Sequence, residues 1–308
     1  MKSISYLLVL CLIAGMTGCG GNVQITPSGN GVIIRVSGTG QQGATPPAAP
    51  TSTPQSPTNP TDPGPNLPPP TATTQPPSGP SPTPPPQNGT VTPPLGASSG
   101  GTGGQSPLSG TTQQAGNVSY NLIVPSSYSR TPTPFMIVYS GVEGAGQMTS
   151  NLKQIAQAMG IGAFIIAVLD GKTYYGDGQA GATVLDDVRA KYNVDNDRTY
   201  LLSESAGTKA GEQLGFHLRP SYFAAFCVND VNNADAPAQT AAQLGFAPWG
   251  QVGPGGQTAI AQSIVDGMRT AGYRLPSPAP YNGPGANQHG NPQQFYEAIR
   301  FFPGKTRQ

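Results

Sequence analysis

The segment Leu201-Leu-Ser-Glu-Ser-Ala-Gly207 sets Ser205 among small residues where an apolar run gives way to a helical pattern. That arrangement suits a nucleophile. A sharp, strained strand-to-helix turn lifts a hydroxyl above a sheet, and small neighbours let the backbone pass close, usually as G-x-S-x-G. Gly207 fills the last position of that pattern, and Ser203 stands where the first glycine belongs. A plain serine in a turn would leave the same pentad, so its partners matter. A serine hydroxyl attacks at neutral pH only when a base reaches it. The chain has two histidines, His217 and His289. His217 falls near the far end of the helix that Ser205 would begin, about 15 Å of rise away. His289 lies in Gly283-Pro-Gly-Ala-Asn-Gln-His-Gly290, a loop just before the last helical segment. The residue order that accompanies such elbows, serine, then acid, then histidine, makes His289 the candidate base rather than a surface-loop histidine.

The elements that must carry these residues follow from the apolar pattern. Strands are expected at 118–124, 135–139, 163–169, 199–203 and 223–228, with a short one at 246–249. Helices are expected over 147–159, 183–192, 206–218, 257–271 and 292–302. The run Ala163-Phe-Ile-Ile-Ala-Val-Leu169 is apolar throughout, as a strand buried on both faces should be. Strand–helix alternation of this kind implies a mostly parallel sheet with helices on both faces. Sites in such sheets lie beyond the carboxyl ends of the strands, which is where Ser205 falls.

Asn193-Val-Asp-Asn-Asp-Arg-Thr-Tyr-Leu-Leu-Ser-Glu-Ser-Ala-Gly207, Tyr222-Phe-Ala-Ala-Phe226 and the opening Tyr120-Asn-Leu-Ile-Val-Pro-Ser-Ser-Tyr128 resemble the polyhydroxybutyrate depolymerase and feruloyl esterase branch of the α/β-hydrolases. The resemblance covers most of 118–302. It implies an α/β-hydrolase fold and a Ser-His-acid mechanism acting on esters, with Ser205 as nucleophile and the Ala206 N–H as one oxyanion donor. The family's His-Gly after the second strand is Ser140-Gly141 here, so the second donor would come from Gly141 or Val142. The family's acid belongs near Trp249-Gly-Gln-Val-Gly-Pro-Gly-Gly256, a stretch without a carboxylate. Asp230, just beyond the 223–228 strand, is the substitute the resemblance suggests, although a loop aspartate in Asn229-Asp-Val-Asn-Asn233 would look the same.

Composition separates this region from what precedes it. Twenty of the 35 prolines lie between Pro46 and Pro94, and from Val36 to Ser129 the only charged residue is Asp62. Such a segment cannot bury enough apolar surface to offset the entropy of ordering it. A disordered Pro-rich linker is therefore expected over 45–115, with the hydrolase-like domain at 116–308. Residues 1–18 read as a signal peptide: Lys2, a short apolar run from Tyr6, then Met16-Thr-Gly-Cys19, which resembles a bacterial lipobox. Cys19 would carry lipid and hold the chain in the bacterial envelope; Gly20 after it resembles lipoproteins passed to the outer membrane in Gram-negative bacteria. Within 19–44, Val23-Gln-Ile-Thr26 and Val32-Ile-Ile-Arg-Val36 flank Ser28-Gly-Asn-Gly31 and suggest a hairpin.

A formal charge of +1 with 9% charged residues gives no basic field for nucleic acid. Gly304-Lys-Thr306 lacks the rest of a P-loop, no cluster has metal spacing, and no cofactor is expected. The sequence thus predicts an envelope-anchored serine hydrolase for small or polymeric esters. Its rival is a catalytically silent binding or structural domain of the same fold, suggested by the departures at Ser203, Ser140 and the acid.

Overall fold

The computed structural model describes residues 22–28, 31–37, 92–96, 98–101 and 110–308. The chain divides into two units, Met1–Gly79 and Pro80–Gln308. In the first, β1 (Asn22–Ser28) and β2 (Gly31–Ser37) pair antiparallel, Asn22 opposite Ser37 and Ser28 opposite Gly31. The signal peptide expected at 1–18, Cys19 and most of the Pro-rich stretch lie outside the described residues.

In the second unit, β3 (Thr111–Ala115), β4 (Val118–Ile123), β5 (Thr133–Tyr139), β6 (Ile165–Leu169), β7 (Val194–Glu204), β8 (Ala225–Asn229) and β9 (Trp249–Gly253) form one sheet. Its order is β3-β4-β6-β5-β7-β8-β9. The first two strands join antiparallel, and β6, β5, β7, β8 and β9 run parallel. Burial explains the sequence pattern. β6 and β8 are buried at every position, as strands covered by helices on both faces must be. β4 alternates, burying Val118, Tyr120 and Leu122.

The covering helices are α1 (Gly144–Ile155), α2 (Gly178–Lys191), α3 (Thr208–Glu212), α4 (Ala241–Leu244), α5 (Thr258–Thr270) and α6 (Pro292–Arg300). α5 shows how they attach: Ala261, Ile264, Val265 and Met268 fall at helical spacing and are all buried against the sheet. α2 starts where the Asp177 side chain accepts the Ala180 N–H at 3.0 Å. The single helix expected over 206–218 is instead a 3₁₀ turn at Ser205–Gly207, then α3, then a π-helical stretch at Gln213–Leu218.

Two boundaries differ from the sequence reading. Within the linker expected over 45–115, 111–115 is a strand and the described residues 92–96 and 98–101 dock on the domain. Ser99 donates to the Val194 carbonyl at 2.8 Å, and the buried Arg307 guanidinium donates to the carbonyls of Pro93 and Pro94 at 2.9 and 3.1 Å while pairing with Asp197 at 3.0 Å. The short strand expected at 246–249 is β9 at 249–253, so the stretch in which an acid was sought is itself a strand and its exit. Among the described residues, no helix is long and apolar enough to cross a membrane.

Candidate active site

Ser205 follows β7 and Asp230 follows β8, and these strands are in register, Glu204 opposite Asn229. The two residues are therefore neighbours at the carboxyl edge of the sheet. Both have left-handed backbones, φ 46° for Ser205 and 52° for Asp230. Only Arg130 among other described non-glycine residues does the same. Such backbone costs of order 1–3 kcal/mol each and persists where surrounding structure over-determines it. Ser205 is held from behind: the Asn232 amide donates to its carbonyl at 2.8 Å, and the Thr208 hydroxyl lies 2.8 Å from that oxygen.

The departure from the elbow pattern at Ser203 is accommodated. Ser203 is fully buried, and a Cβ on Gly211 would sit 2.5 Å from its Oγ. The absent side chain at 211 makes room for the extra one at 203, so the helix still packs on the strand. Gly207 is required by close approach, since a Cβ there would come within 2.6 Å of Tyr139 Cβ and 2.8 Å of the Ser140 carbonyl.

His289 arrives from the loop before α6 and places Nε2 2.8 Å from Ser205 Oγ. Ser205 is 8% exposed, and the imidazole is exposed. With Nε2 unprotonated, it can take the serine proton. His217 is elsewhere, at the surface, 2.8 Å from Asp235.

Asp230, 1% exposed, reaches the histidine loop by a different route from the one a triad uses. Its carboxylate accepts the backbone N–H of Gly290 and the side-chain amide of Gln294. Among the described residues, the hydrogen bond of the His289 ring is to Ser205 alone. The acid thus grips the loop one residue beyond the imidazole instead of the ring, a correction to the triad geometry expected of Asp230. The reason lies in β9. A Cβ on Gly255, just past that strand, would come within 2.5 Å of Asp230 Oδ1 and 2.7 Å of its Cα. The aspartate carboxylate fills the space that a side chain from the β9 exit would have taken.

The expected oxyanion donors differ in state. Ala206 is the second residue of the 3₁₀ turn that Ser205 opens, where no helical carbonyl precedes its N–H. The Gly141 N–H is engaged: it donates to Glu143 Oε1 at 3.0 Å. A Cβ on Gly141 would lie 2.5 Å from Glu143 Oε2 and 3.3 Å from Ser205 Cβ, so this carboxylate shares the immediate surroundings of the serine. Glu143 folds back on its own loop, and Gly141 is thereby corrected from an open donor to an occupied one.

The sequence reading passed over Glu143, Glu204, Asn232 and Gln294. Glu204 lay in plain view inside the pentad, its burial following from its place at the end of a central strand. Nothing local marked Gln294, which meets Asp230 across 64 positions of chain. Among the described residues, no three His, Cys, Asp or Glu side chains are grouped to hold a metal ion.

No protein-family model matches the chain, and the comparison with curated proteins found no match. Solved structures do match it. A thermostable esterase superposes with a TM-score of 0.50 at 16% identity, over 64% of this chain and 62% of its own. A dienelactone hydrolase-like promiscuous phosphotriesterase from metagenomic libraries gives 0.46 at 12% identity, over 63% and 96%. The poly(3-hydroxybutyrate) depolymerase LpqC of Bordetella parapertussis gives 0.44 at 15% identity, over 61% and 86%. The chain spans less than two thirds of the length of the esterase. The likeness to the esterase and the order of the sheet agree on one architecture: the second unit has the α/β-hydrolase fold.

Proposed function

We propose that this domain is a serine hydrolase of carboxylic esters. The observation that carries the reading is the 2.8 Å contact between Ser205 Oγ and His289 Nε2, made by a serine in strained backbone at the carboxyl edge of a parallel sheet. Ser205 attacks the ester carbonyl carbon as His289 Nε2 takes its proton, and the developing oxyanion meets the Ala206 N–H. The tetrahedral intermediate expels the alcohol, which takes the proton from the imidazolium. Water, activated by the same histidine, then releases the acid and restores the serine. Asp230 stabilises the imidazolium through its charge and holds the loop that carries it. The substrate class is small or polymeric esters.

The test is covalent capture. A fluorophosphonate probe should label Ser205, and short-chain aryl esters should be hydrolysed; absence of both removes the enzyme reading. In the same reading Cys19 carries lipid and holds the protein in the bacterial envelope, so Cys19→Ser should shift it from the detergent-extracted membrane fraction to the soluble one. Equal partitioning of both forms removes the anchor.

One observation favours the silent-domain alternative: the Glu143 carboxylate on the Gly141 N–H, where a substrate oxygen would need a donor. The two readings diverge on Glu143→Ala. Losing one oxyanion donor costs serine hydrolases about 10²–10³ in rate, so freeing an occupied donor should accelerate probe labelling and aryl-ester hydrolysis, by about tenfold. An unchanged rate in an active enzyme would mean that Gly141 takes no part.

A further inference from the structure

Gln294 is a polar side chain on the buried face of α6, in the company of Ala298 and Ile299. It is 1% exposed, and a carboxamide taken that far from water needs hydrogen bonds at both ends. It has them. Its Oε1 accepts the Gly255 N–H at 3.1 Å, and its Nε2 donates to Asp230 Oδ1. A backbone N–H can only donate, so the amide oxygen must face Gly255 and the amide nitrogen must face Asp230. The other oxygen of Asp230 accepts the Gly290 N–H. Space for the amide comes from β9, where a Cβ on Gly253 would lie 3.3 Å from Gln294 Cδ.

The Gly255 N–H, Gln294, Asp230 and the Gly290 N–H thus form a chain from the exit of β9 to the loop that carries His289. Both ends are fixed donors, which limits what can stand between them. One carboxylate and one amide satisfy every contact; two amides set donor against donor, and two carboxylates set acceptor against acceptor. We infer that Gln294 is a positioning residue, its amide aiming the Asp230 carboxylate at Gly290 and so keeping His289 Nε2 within reach of Ser205. The inference rests on the serine-hydrolase reading. It ties the histidine loop to α6 and to the end of β9, so that the place of the loop does not depend on a bond to the ring.

Gln294→Glu sets a second carboxylate against Asp230. At about pH 8, kcat for an aryl ester and the rate of fluorophosphonate labelling should both fall about 10²-fold, with KM within a few-fold, as expected when a catalytic group is misplaced by about 1 Å. Two carboxyl groups that share a site hold a proton between them as pH falls, and that proton restores a donor. The ratio of variant to wild-type rate should therefore rise about tenfold between about pH 8 and about pH 6. His289, and Glu204 at the end of β7, are common to both proteins and cancel in the ratio. A wild-type rate at the higher pH, or a ratio that does not change with pH, overturns the inference.

Asp230→Asn combined with Gln294→Glu keeps one amide and one carboxylate in reversed order. The asparagine oxygen then accepts from Gly290, its amide donates to the new carboxylate, and that carboxylate accepts from Gly255. The double variant should be about tenfold faster than Asp230→Asn alone, and about tenfold slower than wild type because the negative charge has moved one side chain further from the imidazole. This comparison stands should Gln294→Glu alone not fold. A double variant that is no faster than Asp230→Asn, or that does not fold, overturns the positioning role alone if the wild type is labelled. Wild-type protein that is neither labelled nor active overturns the hydrolase reading itself, and the positioning role falls with it.

Discussion

Ser205→Ala and His289→Ala are each expected to lower aryl-ester hydrolysis by about 10⁶-fold, and the double variant should be no worse than either single one. The equality is the informative part. A nucleophile and a base separated by 2.8 Å form one chemical unit, because the hydroxyl is a poor nucleophile until its proton has somewhere to go. Removing either member removes the unit, and removing both removes nothing further. What remains is the contribution of binding and of the Ala206 donor, which persists in the absence of the pair. Fluorophosphonate labelling should vanish in Ser205→Ala and slow greatly in His289→Ala, since the probe needs both the oxygen and its activation. Multiplicative losses in the double variant would mean that the two residues act separately. Activity surviving in Ser205→Ala would place the nucleophile elsewhere.

The elbow was legible in the sequence because strand, turn and small residues are local features. Apolar Tyr200-Leu-Leu202 fixes the strand, and Gly207 marks the close approach to Tyr139. The serine at 203 looked like a defect for a physical reason: its compensation at Gly211 is visible only once the helix is laid over the strand. The acid was harder to read. A search for a carboxylate after β9 finds none, and the space is filled from β8 across a strand boundary, which no spacing rule in one dimension contains. Glu143 shows the same limit in the oxyanion loop, where the sequence supplies a glycine N–H but not the side chain that folds back to take it.

The start of the domain was misjudged on composition. Thr111-Thr-Gln-Gln-Ala115 is polar because it is an edge strand exposed along most of its length, and the uncharged Pro93 and Pro94 attach to the domain through their backbone carbonyls, which accept from Arg307 and Asn196. Low charge and high Pro content mark a segment that cannot make a core of its own. They do not stop it from docking on one.

Asp230→Asn is expected to lower kcat/KM by about 10²-fold, and the size of the loss distinguishes two ways in which an acid can serve a histidine. Where the acid bonds the ring directly, the asparagine presents a donor, fixes the wrong tautomer and costs about 10⁴-fold. Here the carboxylate bonds the Gly290 N–H, one residue along, and the ring's tautomer does not depend on it. The damage comes instead from the donors that converge on Asp230, the Gly290 N–H and the Gln294 side-chain amide. Asparagine has one accepting oxygen and an amide that must face one of those donors, so the loop should shift, and a displacement of about 1 Å accounts for a loss near 10²-fold. Asp235→Asn is the control: its carboxylate meets the exposed His217 at 2.8 Å, and the rate should stay within a few-fold. A 10⁴-fold loss in Asp230→Asn would show that the imidazole turns onto the carboxylate during turnover. A wild-type rate, in a protein whose Ser205→Ala form is dead, would show that the Ser205–His289 pair works without the acid and that the loop is held by its remaining contacts.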